Sequence, residues 1–351
     1  MPSVRHKGLV WVHPQPLREI LMQVLVGDIG GTKTRLGVVE LTRQPYEAQG
    51  ERGYPSADFP HFEAILEQFR ADSGGLPSQL CVGVAGPVRG QCCEVTSLPW
   101  RLEGSAMAHR LNLERVVLLN DLEAHAWGLG ALGENDWQVL QTGTPDPRGN
   151  ACLIAAGTGL GEAGLVWDGQ RQRPFATEGG HASFAPGCEW DVELWRFLAA
   201  RHGHVSWDRV VSGRGLWAIF ECLLETRRAR MPDWLAEAAQ KTGDPAAAVS
   251  QAALAGRDEL CDEALGHFVR LYGLETGNLA LKMLATGGVH VGGGIAPKIL
   301  PWLTDGRFLA AFRNQGRMTA LMDSLPVRVL LSDRTALIGA AVFLATEASR
   351  S

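Results

Sequence analysis

The sequence has too little cysteine, too little net charge and no apolar run long enough to place it in several broad classes of protein. Its seven cysteines, Cys81, Cys92, Cys93, Cys152, Cys188, Cys222 and Cys261, are odd in number and scattered, and no CxxC pair occurs. Neither a disulfide framework nor a zinc cluster is built that way, and the usage fits a reducing cytosol. Basic charge is not in excess: 33 Lys plus Arg stand against 38 Asp plus Glu, a formal charge of −5. That balance argues against nucleic acid as a partner. Apolar runs fall well short of the ~18 residues a membrane span needs. The first 22 residues hold one short apolar run, residues 9–12, followed by Pro14, Pro16 and Arg18. This is too short for the apolar region of a signal peptide. Residues 1–22 are therefore read as an extension ahead of the fold, with Met22 as an alternative start, and the chain is expected to be cytoplasmic.

What is present is a cored composition. Of 351 residues, 46% are apolar and 20% charged, enough for about two domains at roughly 150 residues each. Val24-Leu25-Val26 and Leu36-Gly37-Val38-Val39 flank a glycine-rich turn and read as a β-hairpin. Phe62, Ile65, Leu66 and Phe69 recur at helical spacing, and Val116-Val117-Leu118-Leu119 reads as a strand buried on both faces. It runs into Asn120-Asp121 and a helix over 122–132. The hairpin design then repeats: strand 151–156, a glycine-rich turn, strand 163–167. Helical patterns dominate 189–284 with an interruption near 242–248. Strand 289–291, a helix opening near Ala296-Pro297, strand 327–331 and a closing helix 337–345 complete the chain. Strands and helices mix throughout, so the class is α/β.

Three glycine-rich turns each follow an apolar strand: Gly27-Asp28-Ile29-Gly30-Gly31-Thr32, Gly157-Thr158-Gly159-Leu160-Gly161, and Gly292-Gly293-Gly294. Glycine there lets backbone N–H groups converge on an anion without a Cβ in the way. None is the GxxxxGK[ST] phosphate loop. Any one of them alone reads equally as a plain hairpin; two of matching design and a third before a helix point further. Asp28 suits a magnesium ion reached through water, and equally a turn residue making an Asx contact. Asn120-Asp121 lies at the carboxyl end of a buried strand, where open α/β sheets bind ligands and where a carboxylate can take a hydroxyl proton. The same pair would serve as a helix N-cap. Glu178-Gly179-Gly180-His181 places an acceptor and a mixed donor–acceptor around two glycines, a combination suited to sugar hydroxyls, which both give and take hydrogen bonds; the alternatives are a zinc ligand in His181, with no cysteine cluster to complete it, and plain solvated loop residues.

Together these segments resemble the bacterial glucokinase family, within the wider hexokinase–actin–Hsp70 fold group. The resemblance runs through residues 25–32, Leu119-Asn120-Asp121, residues 157–161, Glu178-Gly179-Gly180-His181-Ala182-Ser183-Phe184-Ala185-Pro186, Arg209-Val210-Val211-Ser212-Gly213 and residues 287–295, in the family's order from about residue 24 to the end. It implies two ribonuclease-H-like α/β domains with a cleft between them. The smaller would take residues 23–131 plus 327–351, and the larger 132–326. It implies ATP-dependent phosphorylation of D-glucose at the 6-hydroxyl, with ATP and Mg²⁺ required. Asp121 would be the catalytic base, and Asn120, Glu178, His181 and Asp208 would join it at the sugar. Gly27, Asp28, Ile29, Gly30, Gly31, Thr32, Gly157, Thr158 and Gly159 would hold phosphates, with Gly292, Gly293 and Gly294 near the adenosine and Asp28 near Mg²⁺. A homodimer is compatible with the resemblance.

Two departures bear on the choice of sugar. Asp208 stands where the family usually has Glu, and Ser97 where relatives carry Asn. Kinases for mannose, glucosamine or N-acetylhexosamine are the alternatives within the enzyme class. A sugar-responsive transcription factor on this fold would need a DNA-binding module, and the 22 residues ahead of the first strand are too few for one. An ATP-driven chaperone-like member would have no use for Asn120-Asp121 together with Glu178 and His181. The cysteine-rich zinc motif of the ROK branch is absent.

Overall fold

The structure is a computed structural model describing residues 22–349; apart from Met22, the expected extension lies outside the described residues. In chain order the elements begin β1 (Gln23–Ile29), β2 (Lys33–Glu40), β3 (Gln49–Pro55), α1 (Phe62–Ser73) and β4 (Gln79–Val84). A small antiparallel sheet of β5 (Val88–Arg89), β6 (Cys92–Glu94) and β7 (Arg101–Glu103) precedes α2 (Gly104–Leu111), β8 (Arg115–Asn120) and α3 (Asp121–Gly128). Then come β9 (Trp137–Gln141), β10 (Ala151–Ala156), β11 (Leu160–Trp167) and β12 (Gln172–Thr177). The helices α4 (Glu189–His202), α5 (Gly213–Thr226), α6 (Asp233–Thr242), α7 (Pro245–Leu254) and α8 (Glu259–Met283) follow. The chain closes with β13 (Gly288–Gly292), α9 (Leu300–Thr304), α10 (Arg307–Arg313), α11 (Thr319–Ser324), β14 (Val327–Leu330) and α12 (Thr335–Ala348).

The two larger sheets among the described residues share one plan. The first runs β3-β2-β1-β4-β8, with β1, β4 and β8 parallel and the β1–β2–β3 meander antiparallel. The second runs β12-β11-β10-β13-β14 in the same pattern and adds β9 antiparallel at its edge. This is the duplicated ribonuclease-H-like arrangement, and the repeat of hairpin design seen in the sequence is its local trace. The apolar strands β4 and β8 are buried along nearly their whole length, as parallel strands covered on both faces must be.

One expected boundary is corrected. Strand 327–330 does not join the first domain: β14 pairs parallel with β13 in the second sheet. Only α12 crosses back. Its Ala336, Leu337, Ala340, Ala341 and Leu344 share a core with Val24 and Val26 of β1, Cys81 of β4 and Val117 and Leu119 of β8. The break at 242–248 is also explained. Gly243 ends α6 in the left-handed region at φ 65°, and Asp244 then caps α7 by accepting the Ala247 N–H at 3.0 Å.

Helix α3 lies between the two sheets. Ala124 and Trp127 belong to the core against the first sheet, whereas Leu122, Ala126 and Leu129 pack with Leu153, Ala163 and Leu165 of the second. α12 lies tightly across it. A Cβ at Gly339 would collide with the Ala124 carbonyl oxygen, and one at Gly128 with that of Thr335, so glycine at both positions is what lets the backbones touch.

Candidate active site

The strand ends of the two sheets converge here. In the first sheet Ile29, Val84 and Asn120 are in register, so the first glycine-rich turn and the start of α3 leave adjacent parallel strands at the same level. The turn is closed by the Gly30 N–H donating to the Lys33 carbonyl at 3.1 Å, and Ser56 Oγ donates to the Gly30 carbonyl at 2.7 Å. Gly31 lies directly under the Ser97 side chain, and Thr32 is exposed at the tip.

Asn120 does what its cap reading describes. Its Oδ1 accepts the N–H groups of Leu122 (3.1 Å) and Glu123 (3.3 Å), and its Nδ2 donates to the Gly86 carbonyl at 3.1 Å. It is buried, and its carbonyl is committed to α3. Asp121 is the first residue of that helix, with Oδ1 accepting the Leu122 N–H at 2.8 Å. Burial pushes the Asp121 carboxyl up to about 7; that N–H opposes the shift, and the negative charges of Asp28 and Glu178 add to it. The influence of both carboxylates places Asp28, Asp121 and Glu178 in one electrostatic neighbourhood.

Asp28 faces Arg35 across the β1–β2 hairpin. Burial raises its pKa, opposed by His125 and Arg35; burial in turn lowers that of His125. Arg35 reaches onward to Asp333, at 2.8 Å to Oδ2 and 3.0 Å to the carbonyl, tying the hairpin to the segment before α12. His125 was not singled out in the sequence. It lies four residues after Asp121, one helical turn along the same face, and that spacing was the available signal.

The second and third turns meet at the end of β10. The Gly157 N–H donates to the Gly159 carbonyl, and the Gly213 N–H donates to the Gly157 carbonyl, each at 2.8 Å. Gly293, at φ 83°, lies against Ala156, where a Cβ would strike backbone. Thr158 is exposed between them. Leu122 covers Gly161, which sets the Asp121 end of α3 against the second turn.

Glu178 and His181 stand at the outer edge, 58% and 64% exposed, with His181 Nε2 3.9 Å from Glu178 Oε2. They flank a 3₁₀ turn, Gly179–His181. A Cβ on Gly179 would strike Glu162, and one on Gly180 the Leu160 carbonyl oxygen, so both glycines are needed for the turn to lie flat on β11.

Asp208, expected among the sugar contacts, lies beside the second turn. It is buried, Oδ1 accepts the Leu160 N–H at 2.8 Å, and Oδ2 lies 3.4 Å from Arg214. Its carboxylate therefore braces the second turn. Ser212 extends the brace: its Oγ donates to the Asp208 carbonyl at 2.6 Å and accepts the Gly215 N–H at 3.1 Å, capping α5. Among the described residues no group of three or more His, Cys, Asp or Glu side chains is arranged to hold a metal ion, and no helix is long and apolar enough to cross a membrane.

The geometry offers a carboxyl raised toward neutral pH between two glycine-rich turns, with a pair of exposed polar side chains at the outer edge, groups of the kind phosphoryl transfer to a hydroxyl employs. Comparison with known proteins gives the family. The family profile described as Glucokinase matches residues 25–347. A glucokinase of Synechocystis sp. is 42% identical over 342 residues, covering 91% of this chain and 96% of the relative. The crystal structure of a glucokinase from an Antarctic psychrotroph superposes with a TM-score of 0.79 at 29% identity, over 93% of this chain and 99% of that one. A ROK family glucokinase from Streptomyces griseus, solved with glucose and AMPPNP, shares the fold at a TM-score of 0.63 and 23% identity, over 93% and 99% of the two chains. The chain belongs to the glucokinase family.

Proposed function

We propose that the chain transfers the γ-phosphoryl group of ATP to the 6-hydroxyl of D-glucose, giving glucose 6-phosphate and ADP, with Asp121 as the general base. The observation that carries the assignment is the placement of Asp121, at the carboxyl end of β8 and the first turn of α3 at the junction of the two sheets, with burial raising its carboxyl to about 7. A base poised there is about half ionised at neutral pH and basic enough to draw a proton as the hydroxyl attacks. Phosphoryl transfer needs little covalent help, so the remaining work is positioning and charge stabilisation.

Glu178 and His181 take the other sugar hydroxyls, accepting and donating from an exposed turn. Asn120 serves by fixing the first turn of α3, and with it Asp121. The N–H groups of residues 27–32 and 157–159 face the phosphates, and residues 292–294 lie near the adenosine. Asp208 contributes by holding the second turn through Leu160. Asp28 is the residue that would hold Mg²⁺ through water: its charge lies under the first turn, compensated in part by His125 and Arg35. The lack of a multidentate protein cluster among the described residues fits an ion bound mainly by water and substrate phosphates. When bound, the ion neutralises charge on the β- and γ-phosphate oxygens.

Initial rates with Mg-ATP over glucose, mannose, glucosamine and N-acetylhexosamines test the reading. Preference for glucose supports it; preference for another hexose keeps Asp121 as base and reassigns the sugar. Absence of turnover with every hexose overturns it. His181→Ala is expected to raise the KM for glucose about tenfold or more, the loss of one or two hydrogen bonds in the complex, with KM for ATP little changed. Equal losses for both substrates would remove residues 178–181 from the sugar site.

A further inference from the structure

Beneath the turn that carries Glu178 and His181 lies a pair of buried carboxyl groups that the reaction does not use. Glu162, on β11, is 1% exposed, and Glu275, in the middle of α8, is fully buried. Glu275 accepts from Asn278 Nδ2 at 2.8 Å and from Lys282 Nζ at 3.4 Å. Glu162 Oε1 has no hydrogen-bond partner, and the charge of Glu275 acts on the Glu162 carboxyl. Two carboxyl groups buried beside a single ammonium, itself half exposed, ionise together only at a large desolvation cost. The cluster thus holds one proton, one negative charge and one ammonium group.

The pair is in contact with the turn. Glu162 Oε2 fills the space where a Gly179 side chain would be. Thr177 Oγ1 donates to the Glu162 carbonyl at 2.9 Å and accepts the Gly179 N–H at 3.2 Å. The backbone of residues 177–179 is therefore laid directly over the Glu162 main chain and carboxyl.

We propose that Glu162 is a positioning residue for the sugar: as the protonated partner of Glu275 it gives the 178–181 turn a neutral seat, and loss of that proton unseats the turn and weakens sugar binding. The proposal rests on the assignment of Glu178 and His181 to the sugar. Ionising both groups would place two negative charges in a dry interior against one partly solvated ammonium, an arrangement relieved by admitting water or shifting a neighbour. Gly179, with no side chain to anchor it, is the neighbour able to move.

The other charged and titratable groups around Glu162 leave this balance in place. On β10, Cys152 is pushed far up by burial and stays a neutral thiol. On the turn, Glu178 and His181 face outward, and Asp208 is committed to Leu160 and Arg214. On β12 the facing residue is Thr177. Burial first, then the charge of Glu275, raise the Glu162 carboxyl to about 8 against the pull of Lys282. A raised carboxyl keeps its proton below that pH and loses it above, so the seat holds at neutral pH and fails on the alkaline side.

The test is glucose affinity without nucleotide, read by intrinsic fluorescence from pH 6.5 to 9.5, with the amide protection factors of residues 179–182, which remove the intrinsic rise of exchange with pH, followed over the same range. The wild type is expected to bind about tenfold more weakly at pH 9 than at pH 7, with those protection factors falling in parallel. Glu162→Gln, whose amide donates as the protonated carboxyl does, should abolish both trends. A flat wild-type profile, which needs no variant to fold, would overturn the proposal, as would an unchanged alkaline loss in E162Q. Glu178→Gln separates the two readings. Wild-type affinity in E178Q would mean that the turn is not at the sugar, and the exchange data alone would then decide whether the pair seats it.

Discussion

Asp121→Asn is expected to lower kcat by about 10²–10⁴-fold, the range typical of a general base, without loss of fold. The change is isosteric, and Asn Oδ1 can still accept the Leu122 N–H that Asp121 holds at 2.8 Å. The cap of α3 is undisturbed because Asn120, not Asp121, receives the Glu123 N–H. What disappears is the capacity to take a proton. The pH dependence carries the same signature with a defined sign. Burial, with the charges of Asp28 and Glu178 behind it, lifts the Asp121 carboxyl to about 7, and a base works only when ionised. kcat/KM for glucose should therefore rise through pH 7 and fall about tenfold for each unit below it. Asp28→Asn removes one of the charges that raise the carboxyl, and should move that acid limb to lower pH. A D121N enzyme with near-normal turnover, or an acid limb near pH 4, would take Asp121 out of the mechanism.

Gly339→Ala is expected to be among the most damaging single-methyl additions to the molecule. The new methyl would meet the Ala124 carbonyl oxygen and lie 2.8 Å from the Gly128 backbone nitrogen. Backbone cannot step aside as a flexible side chain can, so the cost should reach or exceed the upper end of the ~1–3 kcal/mol seen for overpacked interiors. The melting temperature should drop by several degrees, at roughly 2–4 °C per kcal/mol. Gly130→Ala is the internal control: its Cβ would meet no atom within 4 Å, and the expected change is within about 0.5 kcal/mol. Equal melting temperatures for the two variants would mean that α12 and α3 are not in fixed contact.

The sequence exposes some of this architecture and hides the rest for identifiable reasons. Both hairpins were readable because short apolar runs flank glycine-rich turns, and β8 because Val116-Val117-Leu118-Leu119 is apolar on both faces. The sheet that receives β14 was not, since a short Val-Arg-Val-Leu strand carries no mark of its partner. Asp208 shows a second kind of limit. Its carboxylate was visible, but the residue it touches, Leu160, is 48 positions away, and only the fold brings the two together. Glu162 did interrupt an apolar strand, a signal in itself, yet its meaning depends on Glu275 arriving from α8. Asn120 and Asp121 were each open to a capping or a chemical role. The structure gives the helix cap to Asn120 and has Asp121 Oδ1 accept the Leu122 N–H at the start of the helix.

The placement of α3 has a mechanical consequence. One side of it is packed on the first sheet through Ala124 and Trp127, and the other on the second through Leu122 and Ala126. A body gripped from both sides lies close to the axis about which the two halves would swing, and points near an axis travel least. Asp121, at the tip of that helix, would therefore travel little if the two halves closed, and ligands held by either half would be brought to it rather than it to them.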